Sequence, residues 1–400
     1  MNVSALTVAA STLVNGCGAG RGSMRRAMRE HVSGLRSNDF TPAANLETWI
    51  GRVDGVEDLA LPDAFAHFDC RNNRLALAGL LQDDFCGAVR ASCARHGKDR
   101  IGVFIGTSTS GILATELAYR DRVGNAAADV EVVITPSFYR YRHCMFAVTE
   151  FVRTWLGLRG PAMTISTACS SSAKVFAQAA RAIAAGVCDA AVVGGVDSLA
   201  LSTLYGFHSL GLLSRRPCRP FDTERDGISI GEGAGFALLD PAADGAVALL
   251  SYGESCDAYH MSSPHPDGAG AAAAMSEALA GARLEPSAID YINLHGTASR
   301  ANDQSEDLAV TTVFGPGAPA GSTKGWTGHT LGAAGVTEAL LTVMALEDGI
   351  VPATLNCHVV DPQLQCRIDA TSRPAALRYG MSNSFGFGGN NCSLVFGIRD

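Results

Sequence analysis

The stretch AMTISTACSSSAKVFAQAARAI, residues 162–183, places a cysteine where strand spacing gives way to helix spacing. Met163 and Ile165 alternate with Thr164 and Ser166, whereas beyond Cys169 the apolar residues Ala173, Phe176, Ala177, Ala180 and Ala184 recur at helical intervals. Cys169 therefore falls at a predicted helix N-terminus. Free backbone N–H groups and the positive end of the dipole there favour a thiolate and can hold an oxyanion. Ser170, Ser171 and Ser172 are candidate local caps. A buried cysteine beside an ordinary helix cap has the same local sequence, so this position gains chemical meaning only from its partners.

Those partners stand in other turns. LHGTASRAND puts His295 where a predicted strand ends in a Gly-Thr turn, and TKGWTGHTLGAAG puts Lys324 and His329 five residues apart ahead of a helix. That helix, residues 331–346, is apolar almost all round yet carries Glu338, and a buried carboxylate needs a partner. Glu306, eleven residues after His295, is either a second group that orients these cations and imidazoles or a solvated helix residue. NSFGFGGNN supplies Phe385 and Phe387 among glycines, which let a backbone approach a reacting carbonyl or swing as a gate; a hairpin-like turn is the other reading.

The elements that must position these groups alternate. Short apolar runs ending in glycine, at 101–107, 162–167, 190–195, 235–240, 289–297 and 392–398, read as buried strands with helices between them, an α/β pattern. The order repeats: IGVFIGTSTSG matches IDYINLHGTAS, the segment around Cys169 matches 321–346, and the Gly-rich run after AAVVGG matches 380–397. Two related halves follow, residues 1–243 and 244–400, with the seam at DPAADGAV. Residues 51–160 hold more charged and aromatic residues than a minimal half needs, including FYRYRHCMF, and read as an insertion forming a cap or subunit contact.

The totals agree with a globular chain: 400 residues, 47% hydrophobic and 18% charged. No apolar run reaches the roughly 18 residues of a membrane span, and no basic region precedes the apolar N-terminal stretch, so a cytoplasmic location is expected. Twelve cysteines are scattered without a CxxC pair, which argues against a metal site or disulfide framework. A net charge of −8 argues against a nucleic-acid partner. Lys98, Lys174 and Lys324 are the chain's three lysines, so one inside a motif is a chosen cation. NGCGAGRGS, residues 15–23, suggests a nucleotide loop, but GxGxxG fails at Arg21 and no Walker lysine follows; a strand-to-helix turn explains the glycines better.

STACSSS, RPFDTERDGISIGEGAG, DAYHMSSP, LHGTAS, STKGWTGHTLGAAG and NSFGFGGNN, in that order, resemble the β-ketoacyl-acyl-carrier-protein synthases of the elongating branch of the thiolase superfamily. The resemblance runs from about residue 102 to the C-terminus. It implies a thiolase-like fold of two related halves in five layers (αβαβα), and decarboxylative condensation of malonyl carrier protein with a cysteine-bound acyl chain. It implies a Cys169–His295–His329 triad supported by Lys324 and Glu306, and an oxyanion site that includes the Phe387 N–H. Thr297 and Ser299 match positions that hold the phosphopantetheine arm, Phe387 matches a gating aromatic with Phe385 beside it, and Asp257 and His260 match a mobile loop. Glu338 is read as a substrate-binding residue that also helps to fix Lys324. No cofactor is implied beyond the phosphopantetheine of the substrates. The implied partners are an acyl carrier protein and a second subunit, either a copy of the chain or a homologous chain-length factor. Arg71, Arg74, Arg140 and Arg142, clustered in an acidic chain, are candidate contacts for an acidic carrier.

Two departures stand out. Relatives that make ordinary fatty acids usually have an aromatic where Ile228 stands, and Thr-Pro where Ser299 and Arg300 stand. A smaller side chain at 228 leaves more room beside the nucleophile and predicts an unusual acyl group, such as an aryl or polyene chain. Asn at the place of His329 would have pointed to priming synthases, and a cysteine at the place of Phe387 to thiolases; neither is present.

Overall fold

In the computed structural model, which describes residues 5–124 and 134–399, ten strands build the frame of the site. They are β1 (Leu6–Asn15), β2 (Ile101–Gly106), β3 (Ala162–Ile165), β4 (Ala190–Asp197), β5 (Gly233–Leu239), β6 (Val247–Cys256), β7 (Tyr291–Asn293), β8 (Pro319–Gly321), β9 (Tyr379–Gly386) and β10 (Asn390–Ile398). The helices that matter are α1 (Arg71–Leu80), α2 (Phe85–His96), α3 (Phe146–Trp155), α4 (Ser171–Ala184), α5 (Ala269–Ala282), α6 (Arg300–Phe314) and α7 (Ala334–Asp348).

One topology occurs twice. The spatial orders are β3-β2-β4-β5-β1 and β8-β7-β9-β10-β6. In the first, β2 runs parallel to β3 and β4, and β5 antiparallel to β4 and β1. In the second, β7 runs parallel to β8 and β9, and β10 antiparallel to β9 and β6. This is the correspondence of segments that the sequence repeat predicts. The half-sheets join where Leu6 and Thr7 of β1 face Leu249 and Ala248 of β6.

Apolar content decides the layering. Every residue of β4 is buried, as is every residue of α7 from Ala334 to Leu346, so both need cover on all sides. Helices α4 and α7 lie between the half-sheets: Phe176 meets Phe396 edge to face at 5.9 Å, and Val336 and Leu340 share a core with Ala237, Leu239 and Leu394. Each such fully buried side chain contributes about 1.5–3 kcal/mol. Helices α1, α2 and α3 cover the first half-sheet outside, and α5 and α6 the second, which completes five layers. The two central helices cross closely because Gly335 has no Cβ; one placed there would lie 2.3 Å from the Ala173 amide nitrogen.

Residues 51–160, expected as an insertion, supply β2 and the outer helices α1–α3, so much of this stretch belongs to the layers themselves. Its residues 125–133 lie outside the described ones. The glycines of 15–23 do form a strand-to-helix turn, from β1 into a helix over Gly20–Glu30. Among the described residues no helix is long and apolar enough to cross a membrane.

Candidate active site

Beyond β3 the chain turns through Ala168, whose φ of 52° is strained for a residue with a Cβ, and enters α4 at Ser171. The serines stitch this turn and do not cap the helix. Ser171 Oγ accepts from the Thr167 N–H at 2.9 Å and donates to the Ala168 carbonyl at 2.5 Å, Ser170 Oγ donates to the Thr167 carbonyl at 2.9 Å, and Ser172 Oγ accepts the Val336 N–H at 2.9 Å. The turn delivers Cys169, 5% exposed, to the joint between the halves, with its Sγ 3.0 Å from His329 Nε2.

The helix N-terminus favours a thiolate at Cys169, and burial opposes it. Burial pushes the thiol up to about 11, against the Lys324 charge and a hydrogen bond from the Phe387 N–H, which both favour the anion. The resting pair is a thiol beside a neutral imidazole, because burial, reinforced by Lys324, holds His329 well below the ordinary histidine range. Alkylation of resting Cys169 by iodoacetamide should therefore keep climbing about tenfold per pH unit past the ordinary thiol value of about 8.5. Peptide mass after brief labelling reads the rate, and a plateau below pH 8 would show a preformed thiolate.

His295 faces His329 edge to face, ring centroids 5.2 Å apart, and its pKa is also well below the ordinary value, through burial first and then the Lys324 charge. Its Nδ1 lies 3.2 Å from Lys324 Nζ. An ammonium only donates, so Nδ1 accepts and the ring proton sits on Nε2. Lys324, 1% exposed, also bonds the His295 carbonyl and the Glu338 carboxylate.

The two carboxylates divide their work differently from the expectation. Glu306 accepts the N–H groups of His295 at 2.8 Å and Gly296 at 2.7 Å, and receives Asn383 Nδ2 at 3.4 Å; no hydrogen bond joins it to Lys324. It is 1% exposed, so it is not a solvated helix residue; it braces the turn that carries His295. Glu338 is the lysine's partner and lies behind the cleft, outside its lining. Burial raises both carboxyls to about 7, against the backbone N–H groups for Glu306 and the Lys324 ammonium for Glu338.

A cleft of about 280 Å³ opens from this cluster and is lined by Cys169, His295 and His329, and by the expected Ile228, Thr297, Ser299, Phe385, Phe387 and Asp257. Phe387 stacks on Phe207 at 5.5 Å. Asp257 spends its carboxylate on Asn391 Nδ2 at 2.7 Å and the His265 N–H at 3.1 Å, tying its loop to the glycine turn. His260 is not part of the lining; it is exposed, and its Nδ1 accepts the Ser262 N–H at 3.1 Å.

The arginines chosen for a carrier protein do not form a free basic patch. Arg71 is largely buried and paired with Glu232 and Glu57, and Arg74 is paired with Asp69. Arg140 is exposed but bonded to Glu150 at 3.0 Å, and Arg142 donates to the carbonyls of Ala66 and His67. Three of the four thus serve acidic neighbours within the chain, and Arg142 serves backbone carbonyls.

Sequence reasoning missed Asp197, which ends β4 fully buried. Its carboxylate accepts Thr107 Oγ1 at 2.6 Å, Thr109 Oγ1 at 2.8 Å and the N–H of Gly332 at 2.5 Å, so it ties the first half to the turn just after His329. A lone acid at a strand end was its only signal. The ligating atoms of Cys169, His295 and His329 lie within 4.8 Å of one another, a donor set that zinc also favours, and the neighbouring Lys324 ammonium opposes an added dication.

The family model described as "Beta-ketoacyl synthase, N-terminal domain" matches residues 87–245, and "Beta-ketoacyl synthase, C-terminal domain" matches residues 247–358. The chain is 34% identical over 397 residues to a 3-oxoacyl-[acyl-carrier-protein] synthase 2 of Vibrio harveyi, covering 93% of each. It is 33% identical over an alignment of 401 residues to nodulation protein E of Rhizobium leguminosarum bv. trifolii, covering 95% of this chain and 96% of that one. A solved ketosynthase in complex with its chain length factor, from Xenorhabdus doucetiae, superposes with a TM-score of 0.89 at 38% identity, covering 99% of this chain and 98% of that one.

Proposed function

The chain belongs to the beta-ketoacyl synthase family, whose members are acyl-transferring condensing enzymes, and from that premise we propose how its own residues divide the reaction. The observation that carries the division is the thiol of Cys169 at 3.0 Å from a neutral His329, with the Nε2–H of His295 facing the same space.

In the first half-reaction His329 Nε2 takes the Cys169 proton as sulfur attacks the acyl thioester carbonyl. The Phe387 N–H, already directed at the sulfur, and the Cys169 N–H hold the oxyanion. The tetrahedral centre collapses, the carrier's thiolate leaves with the proton from His329, and the acyl group stays on Cys169. Sulfur then no longer occupies His329 Nε2, and exchange with solvent, one proton lost from Nδ1 and one gained at Nε2, lets that ring donate beside His295. Malonyl carrier protein binds with its thioester carbonyl between these two donors. Carbon dioxide leaves, its bonding electrons become the enolate held by the imidazoles, and the enolate carbon attacks the acyl carbonyl. The C–S bond to Cys169 breaks, the thiolate takes the Nε2 proton of His329 while solvent returns one to Nδ1, and a β-ketoacyl thioester two carbons longer departs. Lys324, held by Glu338, keeps His295 in the tautomer this needs and the imidazoles neutral.

The acyl group is read from the wall of the cleft. Ile228, 3% exposed, lines it in a cluster with Leu113, Leu204 and Leu331. We infer that this wall accepts a bulky or stiff chain, such as an aryl or polyene group. With matched acyl donors and malonyl carrier protein, product mass should show a two-carbon gain, with aryl or polyenoyl donors outrunning saturated ones. Ile228→Phe should reverse that preference about tenfold, the scale of a pocket contact of one or two methylenes. Equal selectivity in wild type and variant would refute the reading of the wall.

A second subunit is also proposed. β3 is the outer strand of its half-sheet, paired only with β2 among the described residues, and Met163 on it is 42% exposed. An edge strand this close to the Cys169 turn is a template for pairing with another chain. The Xenorhabdus doucetiae ketosynthase is in complex with its chain length factor, which favours such a partner over a copy of the chain. Co-expression with such a partner should yield a heterodimer on size exclusion. A monomer both alone and after co-expression would count against this edge as a subunit contact.

A further inference from the structure

At its exposed end the cleft is lined by Arg300 and Asn302 from the first turn of α6, and Ser262 and Pro264 belong to the same lining. Arg300 is the one lysine or arginine among the lining residues, and it is exposed. The other cation of the site, Lys324, is sealed behind the imidazoles by Glu338. The arginines nearby are committed: Arg225 to Asp361 at 2.7 Å, and Arg219 to Glu224 at 3.0 Å. Asp361, whose carboxylate feels the Arg300 charge, is the acid held by Arg225. Arg300 itself makes one long contact, its Nη2 to the Thr223 carbonyl at 3.4 Å, which leaves most of its donors free.

We propose that Arg300 binds the phosphate of the phosphopantetheine arm as it enters the cleft, so that this enzyme recognises the arm itself and not only the carrier protein's surface. The inference rests on the condensing reading of the cleft. An acyl thioester must put its carbonyl beside Cys169, and the arm behind the sulfur then runs outward past Thr297 and Ser299, whose hydroxyls lie 3.0 Å apart, to the mouth where Arg300 stands. The arm ends in a phosphodiester, and a guanidinium offers that group paired N–H donors that no other lining residue supplies. It also gives a role to the guanidinium donors that the Thr223 contact leaves unused.

The test compares two small substrates that share one acyl group and one arm, an acyl 4′-phosphopantetheine thioester and the acyl pantetheine thioester lacking the phosphate. Acylation of Cys169 is followed by intact mass on the enzyme with any co-purifying partner. The wild type should prefer the phosphorylated thioester in kcat/KM. In Arg300→Ala the ratio should fall about tenfold, toward one, with the loss in KM, the size of one charge-assisted contact. Arg300→Lys should retain part of the preference. An unchanged ratio overturns the assignment, as does a defect confined to carrier-borne substrate, which would make Arg300 a contact for the carrier's own carboxylates. If neither thioester acylates the wild type while carrier-borne substrate does, arm recognition fails and the condensing reading stands. No acylation by any donor overturns both.

Discussion

Replacing Cys169 by alanine should abolish condensation, a loss of at least about 10⁴-fold, while moving the melting temperature by only a few degrees. Eleven other cysteines remain in that variant, so the outcome discriminates. The nearest rivals are disarmed by their bonds: Cys17 Sγ donates to the Trp326 carbonyl at 3.2 Å and Cys218 Sγ to the Lys324 carbonyl at 3.3 Å, and burial pushes Cys17 up to about 12 and Cys218 up to about 11. Neither has an imidazole to take its proton. Cys169 shares their burial yet has His329 at 3.0 Å and an amide N–H aimed at its sulfur. Removing the sulfur opens a small space at a turn still held by Ser170, Ser171 and Ser172, so the structural cost is about 1 kcal/mol. Condensation above one-hundredth of wild type would place the nucleophile elsewhere.

His295→Ala should split the two half-reactions. Acylation should stay within about tenfold of wild type, because His329, not His295, touches the sulfur, whereas condensation should fall about 10²–10³-fold for loss of one donor to a developing oxyanion. The frame survives the change: Glu306 holds the backbone N–H groups of residues 295 and 296, and Lys324 keeps the residue-295 carbonyl and Glu338. Acyl-enzyme should therefore accumulate and wait for malonyl carrier protein. Rapid-quench mass spectrometry separates the steps; an equal fall in both would mean that His295 serves the nucleophile.

The chemistry-bearing turns were legible because each sits where one periodicity stops and another begins. Cys169 follows β3, His295 follows β7, and Lys324 with His329 precedes α7, so strand ends already marked the place where the halves face each other. The repeat was legible for a related reason: strand β4 of the first half and helix α7 of the second, up to Leu346, are buried on all sides, and such segments have little freedom in composition. What failed depends on contacts between distant segments. Both Glu306 and Glu338 read as supports for Lys324, and only the crossing of α7 over the site gives the lysine to Glu338 and leaves Glu306 to the His295 turn. The serines looked like caps because cap and turn chemistry use the same hydroxyls. Arg71 looked like a surface cation because its partner, Glu232, lies 161 residues away. Burial of Cys169 depends on packing from the second half of the chain, so the dipole argument alone overestimated its acidity.

The central claim is that the growing chain is held on Cys169 between two carriers. The direct measurement is acyl-carrier-protein loading of the wild-type enzyme, proteolysis and mass mapping of the adduct, followed by a chase with malonyl carrier protein. The account predicts one acyl group on the peptide containing Cys169, which disappears in the chase as a β-ketoacyl product two carbons longer forms. An adduct on any other cysteine, or one on Cys169 that malonyl carrier protein cannot discharge, would contradict it.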